Sequence, residues 1–288
     1  MPKKINASQF RSKMQQAQRK IDRAVNDYNR AVRNYNAGVK KFVNDYNAAV
    51  RRHNANVRHN RQVIQNQLRK LNSGTTTTRY TVYTASTASM YRHYSSINAI
   101  YPEGTEVTPI QERILDAVEQ EQACSLTTAN VVMSEQPSEE VNDGVEITDK
   151  LAGISEDLMN RWKGAVFAIN PANPDAARHF CTSARELFTE FLEAKAPDEA
   201  VFAYKPNTEK TQQGNATRKE KIKYMMRNAE MDDAVADYAD EDINNIVELF
   251  KVFNGATHGV AGKYEYTKLL QVRARVEQGI NFLCALCA

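Results

Sequence analysis

The chain has 288 residues, 25% charged and 42% apolar, the proportions of a soluble globular protein with room for two ordinary domains. No apolar run is long enough to cross a bilayer, and the opening Met1-Pro-Lys-Lys-Ile-Asn6 lacks the apolar core of a secretion signal, so a cytoplasmic protein without membrane partners is expected. The net charge of +3 conceals a division: residues 1–73 hold 17 Lys and Arg against 3 Asp and Glu, residues 74–148 hold 3 against 11, and residues 149–288 hold 18 against 21. Such asymmetry points to a polyanionic partner or to an acidic one within the chain.

From Ala7 to Leu71 there is no Pro and one Gly, Gly38. The octets VNDYNRAV (25–32) and VNDYNAAV (43–50) are near copies, and Val recurs with Tyr or His three residues later at Val25, Val32, Val43 and Val50. Steps of seven, broken by an eleven between Val32 and Val43, are coiled-coil heptads with a stutter. A helix of about 60 residues would be roughly 90 Å long, and its single apolar stripe needs another helix to cover it. The spacing therefore predicts a homo-oligomer assembled through residues 1–73. The outer face carries Lys40, Lys41, Arg51 and Arg52 among other cations, which serve either to track nucleic-acid phosphate or to keep the rod soluble.

Residues 74–148 read as an acidic middle segment. Arg79-Tyr-Thr-Val-Tyr-Thr84 alternates and is β-branched and aromatic, which predicts a short strand, and residues 86–96 read as more strand or loop. Tyr101-Pro-Glu-Gly104 marks a turn. Thr108-Pro109-x-Gln111 has the spacing of a capping box with Pro in the first helical position, opening a helix to about Ala123 or beyond. Residues 135–147 are acidic and turn-rich and form the linker onward.

Residues 149–288 read as helices only, a bundle of four principal ones over about 154–169, 174–194, 232–253 and 264–287, with a short basic helix from Thr217. Asn173 is expected to cap the second, with Pro174 first in it. The fold class is thus mainly α: a long coiled-coil helix, a small mixed middle segment and a helical bundle. Cys124, Cys181, Cys284 and Cys287 are too few and scattered for a disulfide framework. The C-x-x-C of Cys284 and Cys287 lies in an apolar helical tail with no second pair to complete a zinc site, so these read as core thiols.

Glu186, Glu190 and Glu193 share a helical face, and Asp232, Asp233, Asp237, Asp240, Glu241 and Asp242 crowd another helix. Oxygen clusters of this kind can hold Mg²⁺, but acidic residues near a helix start need no metal to explain them, and no metal or cofactor is expected. The chain has no H-E-x-x-H, no G-x-S-x-G and no Gly-rich phosphate loop. What remains is the stretch Leu249–Gly259, where Gly255 and Gly259 end a helix that delivers Lys251, Asn254 and His258 to one corner. Imidazole titrates near neutrality, so a single His there can give or take a proton; the plainer alternative is a helix cap in which His258 bonds to backbone.

Asn173-Pro-Asp-Ala-Ala-Arg-His-Phe-Cys-Thr-Ser-Ala-Arg-Glu-Leu-Phe188, Ala196-Pro-Asp198, Thr217-Arg218 and Asn254-x-x-x-His258-Gly259 together resemble the predicted nucleases found beside prokaryotic PIWI proteins, which look like members of the wider HEPN helical class. The resemblance covers about residues 150–288 and leaves the rod outside it. It implies metal-independent cleavage of RNA at a site shared by two bundles, with a His moving a proton and an Arg a few residues earlier holding phosphate. Here the preceding basic residue is Lys251, with six residues between it and His258, and Lys grips phosphate as a point charge rather than bidentately. Arg178 and Arg185, seven apart on one helical face, and Arg218 are the remaining candidates for phosphate contact, each with ion pairing or plain exposure as the alternative. Two functions follow: a ribonuclease effector or toxin of a defence system centred on His258, or an oligomeric module that binds nucleic acid or a partner without cutting.

Overall fold

The structure, a computed structural model, describes residues 7–73, 80–102, 104–134, 145–255 and 266–287. These form helices and connections, with no strand among the described residues and only an isolated antiparallel bridge between Lys210 and Ala216. By its contacts the chain divides into two units, 1–58 and 59–288.

The first unit is the greater part of helix α1, Ala7–Ser73. Its apolar stripe, including Phe10, Met14, Ile21, Val25, Tyr28, Tyr35, Phe42 and Tyr46, is exposed within the chain. Lys40, Lys41, Arg51 and Arg52 are exposed on the same helix.

From residue 59 onward α1 belongs to the second unit, where Ile64 is buried. Arg61 Nε lies 3.0 Å from Glu119 Oε1, and Asn130 Nδ2 donates to the Gln67 carbonyl at 3.0 Å, which fixes this stretch on helix α3, Pro109–Met133. Helix α3 opens as expected, with Thr108 and Gln111 exchanging both bonds of a capping box and Pro109 in its first turn.

The strand expected at 79–84 is not there. Helix α2, Thr81–Ile100, begins instead, and it runs through the stretch read as strand or loop. Its buried residues Tyr83, Thr87, Met90, Tyr94 and Ile97 step by four and three, which is helical, not strand, periodicity. Thr84, Thr87, Ser95 and Ser96 turn their hydroxyls back onto the carbonyls four residues earlier, so the polar side chains are satisfied without leaving the helix. The turn that follows has Thr105 N donating to Pro102 O at 3.0 Å and Gly104 at φ 90°, a conformation an L side chain resists.

After α4, Thr148–Ala152, and α5, Glu156–Ala168, comes α6, Ala176–Lys195. The cap expected at Asn173 is instead Asp175, two residues later: Asn173 Oδ1 accepts from Asp175 N at 3.0 Å, and α6 starts only at Ala176. Helix α7, Asp198–Tyr204, occupies part of a stretch for which the sequence pattern predicted none. Helices α8, Arg218–Met225, α9, Asp233–Gly255, and α10, Tyr266–Leu286, complete the unit.

Helix α9 is the axis of the second unit, packed by α2, α6, α8 and α10. Contacts at Gln111 with Glu230, Val118 with Tyr238 and Ser125 with Asn245 lay α3 parallel to it in constant register. Contacts of Gln271 with Thr128 and Arg275 with Glu121 lay α10 antiparallel to α3, and therefore to α9. Gly279 lets α10 come close: a Cβ there would meet Ile246 Cδ1 at 2.7 Å and Phe188 Cζ at 3.3 Å.

Candidate functional site

Two polar assemblies hold the second unit in register before any surface chemistry is considered. The first is internal. Arg275 is wholly buried, donating Nη1 to Glu121 and Nη2 to Asp242, both themselves wholly buried. Burial pushes the Glu121 carboxyl well above the ordinary carboxylate range; Arg275 opposes the shift and neighbouring Asp242 adds to it. One proton and one guanidinium thus serve two carboxylates, which avoids an uncompensated charge in the core. Asn245 extends the network, accepting from Ser125 Oγ at 3.2 Å and donating to Thr87 Oγ1 at 3.1 Å.

The second assembly is the seam between α8 and α9. Arg218 Nε donates to Asp240 Oδ1 at 2.5 Å and its Nη2 to Asn244 Oδ1 at 2.6 Å; Lys219 pairs with Asp237, and Lys223 with Asp233 at 2.5 Å. Asp233, Asp237, Asp240 and Asp242 of the acidic run are thus matched to the basic helix α8 and to Arg275, while Glu241 accepts from Ser86 Oγ at 3.2 Å. Among the described residues no group of three or more His, Cys, Asp and Glu is arranged to hold a metal ion. The side chain of Arg218 spans to α9 and is 31% exposed, so it is not a bare surface charge. Nearby Lys221 Nζ reaches Glu193 at 2.6 Å, Asp198 at 2.8 Å and the Ala196 carbonyl at 3.1 Å, joining α6, α7 and α8.

Of the remaining candidates, Arg178 lies at the start of α6, and Lys251 and Asn254 lie toward the end of α9. The C-terminal end of α6 meets α8 through Glu193 and Lys221, and α8 covers the N-terminal half of α9, while Phe188 and Ile246 meet at Gly279. Helix α6 is thus antiparallel to α9, and the start of α6, the end of α9 and the start of α10 lie together. Lys251 is exposed here, its Nζ 2.7 Å from Glu248 Oε1. Arg178, in the first turn of α6, is exposed and paired with Asp175. Arg185 is exposed, and its neighbour Glu186 sits 3.4 Å from Arg161. Asn254 falls in the last turn of α9, and His258 lies outside the described residues.

One residue at this end was missed. His179, exposed beside Arg178, has Nε2 3.4 Å from Asp175 Oδ2 and Nδ1 3.5 Å from Asn173 Nδ2. A carboxylate beside an imidazole orients the ring, and the first turn of a helix favours an anion in front of it. The signal was present as Asp175-x-x-Arg178-His179, whose i,i+3 and i,i+4 spacing puts all three on one face of the helix start.

The thiols belong to the core. Burial pushes Cys181 and Cys124 up to about 12, and Cys284 to about 11, where none is a nucleophile at neutral pH.

Residues 151–283 match the family of predicted pPIWI-associating nucleases. No curated protein and no solved structure matches the chain. No helix among the described residues is long and apolar enough to cross a membrane.

Proposed function

We propose that this chain, whose residues 151–283 carry the predicted nuclease region, is a ribonuclease effector of a prokaryotic defence or toxin system that cuts RNA without a metal ion. Cleavage through the 2′-hydroxyl needs one group to take that proton and another to protonate the departing oxygen, and imidazole does both near neutrality. His258, three residues beyond α9, and His179, at the start of α6, are assigned these roles. Arg178, Arg185 and Lys251 are assigned to phosphate, with Asn254 as a neutral donor. The reading is supported by the packing of α6 on α9, whose direction follows from Phe188 and Ile246 both meeting Gly279 and from Glu193 pairing with Lys221, and which runs the start of α6 toward the end of α9. Arg178 and Lys251 are held only by exposed ion pairs, worth about 1 kcal/mol or less, so either turns to a phosphate at small cost. Arg218 drops out of the phosphate set because Asp240 and Asn244 hold it.

The arm is assigned to self-association, since its apolar stripe is exposed among the described residues, and to contact with the RNA backbone through Lys40, Lys41, Arg51 and Arg52.

Single-stranded RNA incubated with the full chain in excess chelator tests the reading. Cleavage is expected, with loss of at least about a hundredfold in His258→Ala or His179→Ala. Cleavage that appears only on adding a divalent cation overturns the metal-independent mechanism. Binding without cleavage, in native chain and variants alike, supports the alternative of a silent oligomeric module, which the Lys251–Glu248 pair and the missing Arg favour.

A further inference from the structure

At the opposite end of α9 from this site, the first turns of α9, the end of α7 and helix α8 surround an open cleft of about 410 Å³. That volume is in the range of sites for small ligands. Tyr204 and Tyr224 stand edge to face across it, ring centres 5.8 Å apart and planes at 74°. The Arg227 guanidinium lies 4.2 Å from the Tyr224 ring centre, and Tyr204 is 58% exposed. Lys205 and Lys223 line the same cleft, tethered to Glu220 at 2.9 Å and Asp233 at 2.5 Å. Glu230 is at its edge with φ 50°, a left-handed backbone that a non-glycine residue adopts at a cost.

The geometry points to a nucleotide site: an aromatic base against the exposed Tyr204 ring and its phosphate on Arg227, with Lys205 and Lys223 beside it. Three features favour this ligand over others. A planar base stacks on a Tyr face whatever its identity. The Arg227 guanidinium, 4.2 Å from the Tyr224 ring centre, is fixed by Nη1 donating to the Tyr224 carbonyl at 3.0 Å, so the phosphate contact falls to its Nη2 and Nε. The three cations are matched by Glu220, Glu230 and Asp233, so a simple anion meets no net positive charge, and the base must supply part of the binding. The cleft begins at Asp233 and Lys251 lies 18 residues along α9, about 27 Å away by helical rise. The same chemistry therefore has two sources: a distal residue of the RNA strand cut at the other end, which rests on the nuclease reading, or a free nucleotide acting as an effector, which does not.

The test uses full-length His258→Ala, so that no turnover confuses binding. Adenosine and cytidine monophosphates, ribose 5-phosphate, inorganic phosphate and a short single-stranded RNA are each titrated, with tyrosine fluorescence and calorimetry as readouts. The nucleotides are expected to bind, with Tyr204→Ala and Arg227→Gln each weakening them about tenfold or more. Both residues are exposed, so both variants are expected to fold, as a thermal melt checks. Inorganic phosphate binding as tightly as the nucleotides, or nucleotide affinity unchanged in both variants, overturns the site. RNA that displaces the nucleotide, and binds more weakly when Tyr204 is removed, identifies the strand as the source. A nucleotide that binds without RNA competing identifies an effector. Either outcome stands whether or not the chain proves to cut RNA.

Discussion

Burying Arg275 is costly, and its two carboxylate partners return that cost only while one of them keeps a proton. Glu121 is that one: its folded pKa is raised well above the ordinary 4.5 by burial. A raised carboxyl contributes stability that is fully present below 4.5 and is lost as pH climbs through the folded value, because the unfolded chain has then shed a proton that the fold retains. Glu121→Gln carries its hydrogen at every pH, so denaturant midpoints of the variant relative to the native chain are expected to improve steadily from pH 5 to 8. A constant difference between the two would mean that Glu121 is ionised in the fold. At Glu230 the expectation is simpler. Glycine relieves a left-handed backbone, so Glu230→Gly is expected to gain about 1 kcal/mol and raise the melting temperature by about 2–4 °C. Loss of nucleotide binding in the same variant would explain why the strained residue is a glutamate.

Among elements, α2 is the instructive one. Its opening Thr81-Val-Tyr-Thr84 alternates like a strand, yet the burial of Tyr83, Thr87, Met90, Tyr94 and Ile97 has the period of a helix. A window of six residues cannot separate those periods, whereas one of fifteen can. Helix α7 was missed for a related reason, since seven residues after Pro197 are too few to show any period. Helix α8 was recognised as short and basic, but the sequence did not show that the acidic face of α9 takes most of its charges. Within α8 the residues differ in weight. Lys221 is 9% exposed and has three oxygen partners on two other elements, while Lys219 is 38% exposed and has one. Lys221→Met is therefore expected to cost about 1–3 kcal/mol in chemical denaturation, against about 1 kcal/mol or less for Lys219→Met. Equal losses would show that the three-way junction is not what holds α6, α7 and α8 together.

For the whole molecule the decisive division comes at residue 58, inside one continuous helix. Arg61, Ile64 and Gln67 are anchored on α3, so a chain starting at residue 59 keeps its core and is expected to melt as cooperatively as the full chain. Mass measured in solution is expected to fall to that of a monomer on this truncation, because the exposed stripe is removed. Retention of RNA is expected to lose most of its salt dependence with it. A truncated chain that remains oligomeric would place the self-association surface in the bundle instead.

The sequence by itself determined the helical class, the arm with its stutter, the α3 cap and the resemblance of the last half, because each is written in local spacing or in one contiguous stretch. Lys251, Asn254 and His258 stand out as candidates in it because they follow closely along the chain. Only the tertiary structure decided which charges are occupied. Whether Arg218 faces a phosphate or Asp240, whether Asp242 invites a metal or Arg275, and whether Arg178 and His179 join the end of α9 all depend on which helices lie side by side. Coulombic and hydrogen-bonding partners are chosen by distance in space, and residues 33 or more apart along a chain carry no mark of that distance.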